Sequence, residues 1–200
     1  MISWSEAISS QDPSQAATRP DQSPLATDKT GHLRAADALT FRTPTAEDGP
    51  AITRLVEDCP PLDTNSAYCN LLQCTHFADT CVVAERAGQI LGWISGYCPP
   101  SEPDHIFVWQ VAVHPDARGL GLGQKMLSVL VDRPATAHAT HLITTITDDN
   151  EASWRMFTGF ARKRSLELAR TPYFEQDAHF AGAHSTEHLV TIGPFSCKPD

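Results

Sequence analysis

No apolar run in this chain approaches the eighteen or so residues that a membrane-spanning helix needs, so no membrane partner is expected. The opening MISWSEAISSQDPSQ lacks the basic start and apolar stretch of a secretory signal, and the expected location is the cytoplasm. Positive charge is scarce as well: 15 Lys and Arg stand against 24 Asp and Glu, a formal net charge of −9. The basic residues are scattered rather than clustered, so the chain repels phosphate backbones and nucleic acid is not an expected partner. The six cysteines (Cys59, Cys69, Cys74, Cys81, Cys98, Cys197) contain no C-x-x-C pair, the commonest zinc and redox spacing. Several fall in apolar segments, where cysteine behaves as a small hydrophobe, so free thiols in a reducing compartment are expected.

What is present has the balance of a globular protein, 41% apolar and 20% charged, and 200 residues suffice for one domain and a tail. Residues 1–38 are rich in Ser, Gln, Asp, Ala and Pro with few large apolar side chains, and are expected to form a flexible tail. One α/β domain without internal repeats is expected over 39–196. LTFRTPT reads as a strand, and the following segment carries Ile52, Leu55, Val56 and Cys59 at helical spacing. A second helix, with Asn65 as N-cap, would bury Tyr68, Leu71, Leu72 and Thr75. Ala87-Gly88 marks a hairpin between two β-rich runs. In DHIFVWQVAVHP, Phe107, Trp109, Val111 and Val113 alternate with Ile106, Val108 and Ala112, which predicts a central strand covered on both faces. A helix with Leu122, Met126, Leu127 and Leu130 inward follows, then the strand HLITTITDD and a short helix closed by Gly159. The remainder reads as two strands, ARKRSLELART and EHLVTIGPF, joined by a loop.

Between the central strand and the third helix lies ARGLGLGQK, with glycines at 119, 121 and 123. Backbone N–H groups and the positive end of a helix dipole can converge in such a turn, where a pyrophosphate fits and Arg118 can add a charge-assisted contact. A G-x-G-x-G is also compatible with a merely flexible turn, and neither the dinucleotide fingerprint nor a P-loop fits the spacing. Arg118, Gly121 and Gly123, after the strand WQVAVHP, resemble the acetyl-CoA signature R/Q-x-x-G-x-G/A of the GNAT superfamily of N-acetyltransferases. Asn150 opening a helix that reaches Gly159-Phe160 resembles the superfamily's second motif. This resemblance implies acetyl-CoA as co-substrate and no metal. It also implies a mixed, mostly antiparallel sheet of about six to seven strands flanked by about four helices. Backbone groups of Val111 and Val113 would hold the acetyl and pantetheine portions, residues 118 to 123, with Gly119, Gly121 and Gly123, the pyrophosphate, and Asn150 the pantetheine arm. Many relatives place a thiolate-protonating Tyr where this chain has Phe157, so the general acid is not identified.

CPPLDTNSAY, FVWQVAV, TTITDDNEASW and H-x-x-E-x-L-V are similar, more narrowly, to the diaminobutyrate acetyltransferases of ectoine biosynthesis. That likeness implies acetylation of the 4-amino group of L-2,4-diaminobutyrate by a homodimer. It gives Asp63, Tyr68, Trp109, His184 and Glu187 to the diamine, with Glu187 and Tyr68 as the candidate catalytic residues. Each has a plainer reading: a helix N-terminal carboxylate for Asp63, core packing for Tyr68 and Trp109, a solvated loop for Glu187. His114 reads as structural. Another small amine or a protein N-terminus is an alternative acceptor, and a catalytically silent acyl-CoA sensor an alternative role. H-x-x-E-H at 184–188 is also the spacing of a zinc hydrolase using His184, Glu187 and His188. That site needs a helix and a downstream third ligand, whereas a strand is predicted here and Asp200 is the next His, Asp or Glu.

Overall fold

Seven strands form one sheet in the computed structural model, which describes residues 38–195. The strands are β1 (Thr40–Arg42), β2 (Val82–Arg86), β3 (Gln89–Tyr97), β4 (His105–Val113), β5 (His141–Thr147), β6 (Glu167–Phe174) and β7 (Glu187–Gly193). Their order is β1-β2-β3-β4-β5-β7-β6, antiparallel throughout except for the parallel pair β4/β5. The helices are α1 (Gly49–Glu57), α2 (Ala67–Thr75), α3 (Leu122–Val131), α4 (Glu151–Lys163) and the short α5 (Gln176–Phe180). The tail expected before residue 39 lies outside the described residues, apart from Ala38.

Neighbouring residues of a strand point to opposite faces, and the chain uses that period to build two cores. On one face Val82, Ile94, Ile106 and Val108 pack with Met126, Leu127 and Leu130 of α3 and with Phe157 and Phe160 of α4. On the other, Val83 and Trp93 pack with Ile52, Leu55 and Val56 of α1 and Cys74 of α2. The β2–β3 turn takes Ala87 and Gly88 through φ of 51° and 78°, the left-handed pair that a two-residue hairpin requires.

Several expectations are corrected. The buried face of α2 is Asn70, Gln73 and Cys74, while Tyr68 is 70% exposed and Leu71 and Thr75 are also exposed. Asn70 is tied to the neighbouring helix through its Nδ2, which donates to Thr53 Oγ1 of α1 at 2.8 Å, whereas its Oδ1 and the Gln73 Oε1 are buried with no partner among the described residues. The N-cap is Ser66, whose hydroxyl accepts from the Cys69 N–H, not Asn65. Helix α4 does not stop at Gly159 but runs on to Lys163; Gly159 is instead where the Gln124 side chain of α3 crosses, in the space a Cβ would fill. ARK therefore belongs to a helix, and the link between the last two strands contains α5.

The strand β4 is not alternately covered as its sequence suggested. Opposite Ser95 and Gly96 of β3 stand Gln110 and Val108, so Trp109 is the extra residue of a β-bulge. The bulge inverts the alternation: Ile106 and Val108 face the α3/α4 core, but beyond it Ala112 faces the α1/α2 core and Val111 and Val113 turn to the α3/α4 side. Trp109 is left 50% exposed.

Candidate active site

Strands β4 and β5 pair only over His105–Phe107 and His141–Ile143. Thr144 Oγ1 then donates to the Val108 carbonyl at 2.8 Å, and past that bridge the two strands part. The split exposes the β5-facing backbone edge of the end of β4, where Val111 and Val113 lie, to a ligand rather than a strand. Both chains leave the split into helices, β4 into α3 and β5 into α4, so two helix N-termini bracket its open end.

The turn into α3 holds Gly119 and Gly121 at φ of 76° and 69°, with Gly121 as a left-handed N-cap and open space where either Cβ would be. Neither a side chain nor a capping oxygen covers the first N–H groups of α3 at that position. Arg118 is exposed beside it, its Nε donating to the Val113 carbonyl at 3.3 Å. Gly123, in the first turn of α3, is under a further constraint that its neighbours lack. It is buried inside α3, and Met156 of α4 occupies the place of its Cβ, so it brings α3 and α4 together. Asn150 caps α4, its Oδ1 accepting from the Ser153 N–H at 3.1 Å, which leaves its Nδ2 as a donor. Phe157 is fully committed to the α3/α4 core at 2% exposure. His114 accepts from the Asp116 N–H and caps the short turn after β4.

A cavity of about 680 Å³ opens beside the split. Asp63 and, more than a hundred residues later, His184 and Glu187 line it together, with Thr145, Phe174, Ala178, His179 and Phe180. Asp63 sits ahead of α2 rather than in its first turn, and its loop is pinned to β4: Gln110 Nε2 donates to the Asp63 carbonyl at 2.8 Å and Gln110 Oε1 accepts from Asn65 Nδ2 at 3.1 Å. Glu187 opens β7, paired with Thr147 on one side and Phe174 on the other, and is half-buried. Tyr68 and Trp109 do not line this cavity; Trp109 stands edge-on to Tyr97 at 6.4 Å. Thr145 was not singled out although it lies in the segment TTITDDNEASW, and the α5 residues carried no sequence motif. For Thr145, membership of that segment is the signal that could have found it, and its place two residues past the last β4/β5 pair is what puts it beside the split.

The H-x-x-E-H segment is not helical. His184 and Ser185 precede β7, and Glu187 and His188 are its first two residues, on opposite faces of the strand. His188 is buried with Nδ1 3.6 Å from Asp148, whereas His184 is exposed with Nδ1 2.8 Å from the Ser185 carbonyl. The one-faced histidine pair that zinc requires is not formed.

Residues 50–160 match the model of the Acetyltransferase (GNAT) family. The chain is 46% identical over 157 residues to the L-2,4-diaminobutyric acid acetyltransferase of Methylotuvimicrobium alcaliphilum, covering 78% of this chain and 91% of that one. It is 46% identical over 152 residues to the protein of the same name from Vibrio cholerae serotype O1, covering 76% and 88%. Among solved structures it is similar to the diaminobutyrate acetyltransferase EctA from Paenibacillus lautus in complex with its substrate L-2,4-diaminobutyric acid and coenzyme A. The TM-score is 0.76 at 36% identity, covering 82% of this chain and 99% of that one.

Proposed function

The chain belongs to the GNAT acetyltransferases and, within them, to the L-2,4-diaminobutyric acid acetyltransferases, and from that premise we propose how its own residues serve the reaction. It transfers acetyl from acetyl-CoA to the 4-amino group of L-2,4-diaminobutyrate, giving N4-acetyl-L-2,4-diaminobutyrate for ectoine synthesis. The observation that carries the reading is the meeting of Asp63 and Glu187 in one cavity beside the split of β4 and β5.

A dicationic diamine needs anionic partners, and no Lys or Arg is among the residues lining that cavity. An alkyl ammonium has a pKa near 10, so about one molecule in a thousand is neutral at pH 7 and a proton must be removed. Glu187 accepts it, directly or through water, and Asp63 holds the second ammonium. The freed amine attacks the thioester carbonyl carbon, the C–N bond forms, the C–S bond breaks, and coenzyme A leaves as thiolate. Backbone N–H groups of β4 at Val111 and Val113 stabilise the developing oxyanion. The glycine turn from Arg118 through Gly119 and Gly121 receives the pyrophosphate, helped by the dipole of α3, and Asn150 Nδ2 the pantetheine arm. Gly123 adds its N–H from the first turn of α3 and also brings that helix close to α4. Trp109, aimed outward by the bulge, and Tyr68 on the first turn of α2 border the diamine's approach; His184 presents its ring from the cavity wall. Phe157 cannot donate a proton to the thiolate, so the second proton, which the attacking nitrogen loses as the C–S bond breaks, reaches the thiolate through water, while the first stays on Glu187 until it is released to solvent.

The protein works as a homodimer in the cytoplasm. The outer strand β6 supports the first part, with Tyr173 and Phe174 48% and 40% exposed at the sheet edge. The five free thiols among the described residues support the second. Mass spectrometry of products from acetyl-CoA with diaminobutyrate, ornithine, lysine, spermidine and an N-terminal peptide, with and without chelator, tests the activity. Selective, chelator-insensitive acetylation of diaminobutyrate at N4 is expected; modification of another amine instead would overturn the acceptor assignment. Light scattering on the eluting protein reads the oligomeric state.

A further inference from the structure

The two histidines of the cavity wall are held in opposite tautomers by the backbone. The Glu175 N–H donates to His179 Nδ1 at 2.8 Å, so that nitrogen carries a lone pair and the neutral ring keeps its hydrogen on Nε2. At His184, Nδ1 faces the Ser185 carbonyl at 2.8 Å, which can only accept, so Nδ1 carries the hydrogen and Nε2 the lone pair. Both rings are braced by aromatic neighbours, His179 edge-on to Phe174 at 5.9 Å and His184 against Phe180 at 4.8 Å. With Nδ1 of each ring committed to the backbone, Nε2 is the nitrogen left for a ligand.

Resting on the reading of the substrate as diaminobutyrate, we propose that His179 Nε2–H is the donor that binds the substrate's α-carboxylate and so selects an amino acid over a simple diamine. Asp63 and Glu187 account for the two ammonium groups but would repel a third carboxylate. The cavity lining offers no Lys or Arg to offset that repulsion. Besides the Thr145 hydroxyl, His179 is the side chain there that presents a hydrogen from a ring fixed in place, whereas neutral His184 presents a lone pair suited to an ammonium. One short helix thus supplies a donor fixed in direction, where the wall otherwise has the freely rotating Thr145 hydroxyl.

The test compares L-2,4-diaminobutyrate with 1,3-diaminopropane, the same chain without the carboxylate, in wild type, His179→Phe and His179→Gln. The Phe variant should lose about ten- to a hundredfold in kcat/KM for diaminobutyrate, mostly through KM, the range for a hydrogen bond to a charged group. Its kcat/KM for 1,3-diaminopropane should change by less than about threefold, so the wild-type preference collapses. His179→Gln, whose amide N–H can stand in for Nε2–H, should keep the preference within about threefold. A preference that survives in the Phe variant, an equal loss for both amines, or a Gln variant as unselective as Phe would overturn the assignment. Wild-type protein that does not acetylate diaminobutyrate at all would instead overturn the substrate reading on which it rests.

Discussion

Glu187→Gln removes one charge from the cavity and almost nothing else. The side chain is half-buried at the start of β7, flanked by paired residues on β5 and β6, so the backbone around it is held by two ladders and should not move. Exposed ion pairs contribute ~0–1 kcal/mol and fully buried ones about 3–5 kcal/mol when one partner is lost. A half-buried carboxylate facing an ammonium falls between, at about 2 kcal/mol, or roughly thirtyfold in kcat/KM. If Glu187 also takes the proton, the loss deepens to about 10²–10⁴ and falls on kcat. Steady-state kinetics with diaminobutyrate varied at saturating acetyl-CoA separates the two: a raised KM with intact kcat means ammonium binding alone, and a lowered kcat means proton removal. The KM for acetyl-CoA should stay within about twofold, because the glycine turn is on a different element. A Gln variant within threefold of wild type in kcat/KM, with its melting temperature unchanged, would refute both roles.

The Asp48 carboxylate binds Arg42 through two bonds of 2.6 and 2.8 Å and the Thr45 N–H at 2.8 Å, which holds it below the usual carboxylate range, the Arg42 contact contributing most. Asp48→Asn should cost about 2 kcal/mol at pH 7, a buried-pair loss reduced because the Arg42 side chain is 36% exposed. A lowered folded pKa stabilises above the unfolded value, about 3.9, and is lost as pH falls through the folded one; the melting-temperature gap between wild type and variant should therefore close below about pH 4. Burial pushes the Cys81 thiol up to about 12 and the Cys74 thiol up to about 11, so iodoacetamide at pH 8 should spare both in the native protein while labelling half-buried Cys69; peptide mapping before and after denaturant reads this. Gly121→Ala puts a Cβ into open space but at φ of 69°, so the cost is conformational, about 1 kcal/mol or ~2–4 °C in Tm. Its KM for acetyl-CoA should rise severalfold while that for diaminobutyrate holds.

Local rules were enough for much of this molecule. The inward faces of α1 and α3 follow from apolar residues three and four apart, the β2–β3 turn from Ala87-Gly88, and the turn into α3 from glycines that take left-handed φ at 119 and 121. Asp63, His184 and Glu187 could be singled out beforehand by resemblance, but their meeting is a property of the fold. Long-range contacts reversed the local reading elsewhere. Asn70 of α2 is inside, tied by its Nδ2 to Thr53 on another helix, and Gly159 is an interior residue of α4 whose missing Cβ makes room for Gln124 of α3. One extra residue in β4, visible only from its register against β3, turns Trp109 outward and swaps the faces of Val111 and Ala112.

The sequence by itself determined helices α1 to α3, the start of α4, the course of the strands and the residues able to bear charge, because periodicity and turn chemistry act over a few neighbouring residues; it did not reveal α5 or the end of α4. Only the tertiary structure decided that β4 and β5 would part after three pairs, and that His179 of α5 and His184 of the segment after it, held by the backbone in opposite tautomers, would share one wall with Asp63. Those arrangements depend on register and on backbone donors supplied by other segments, which no local pattern records.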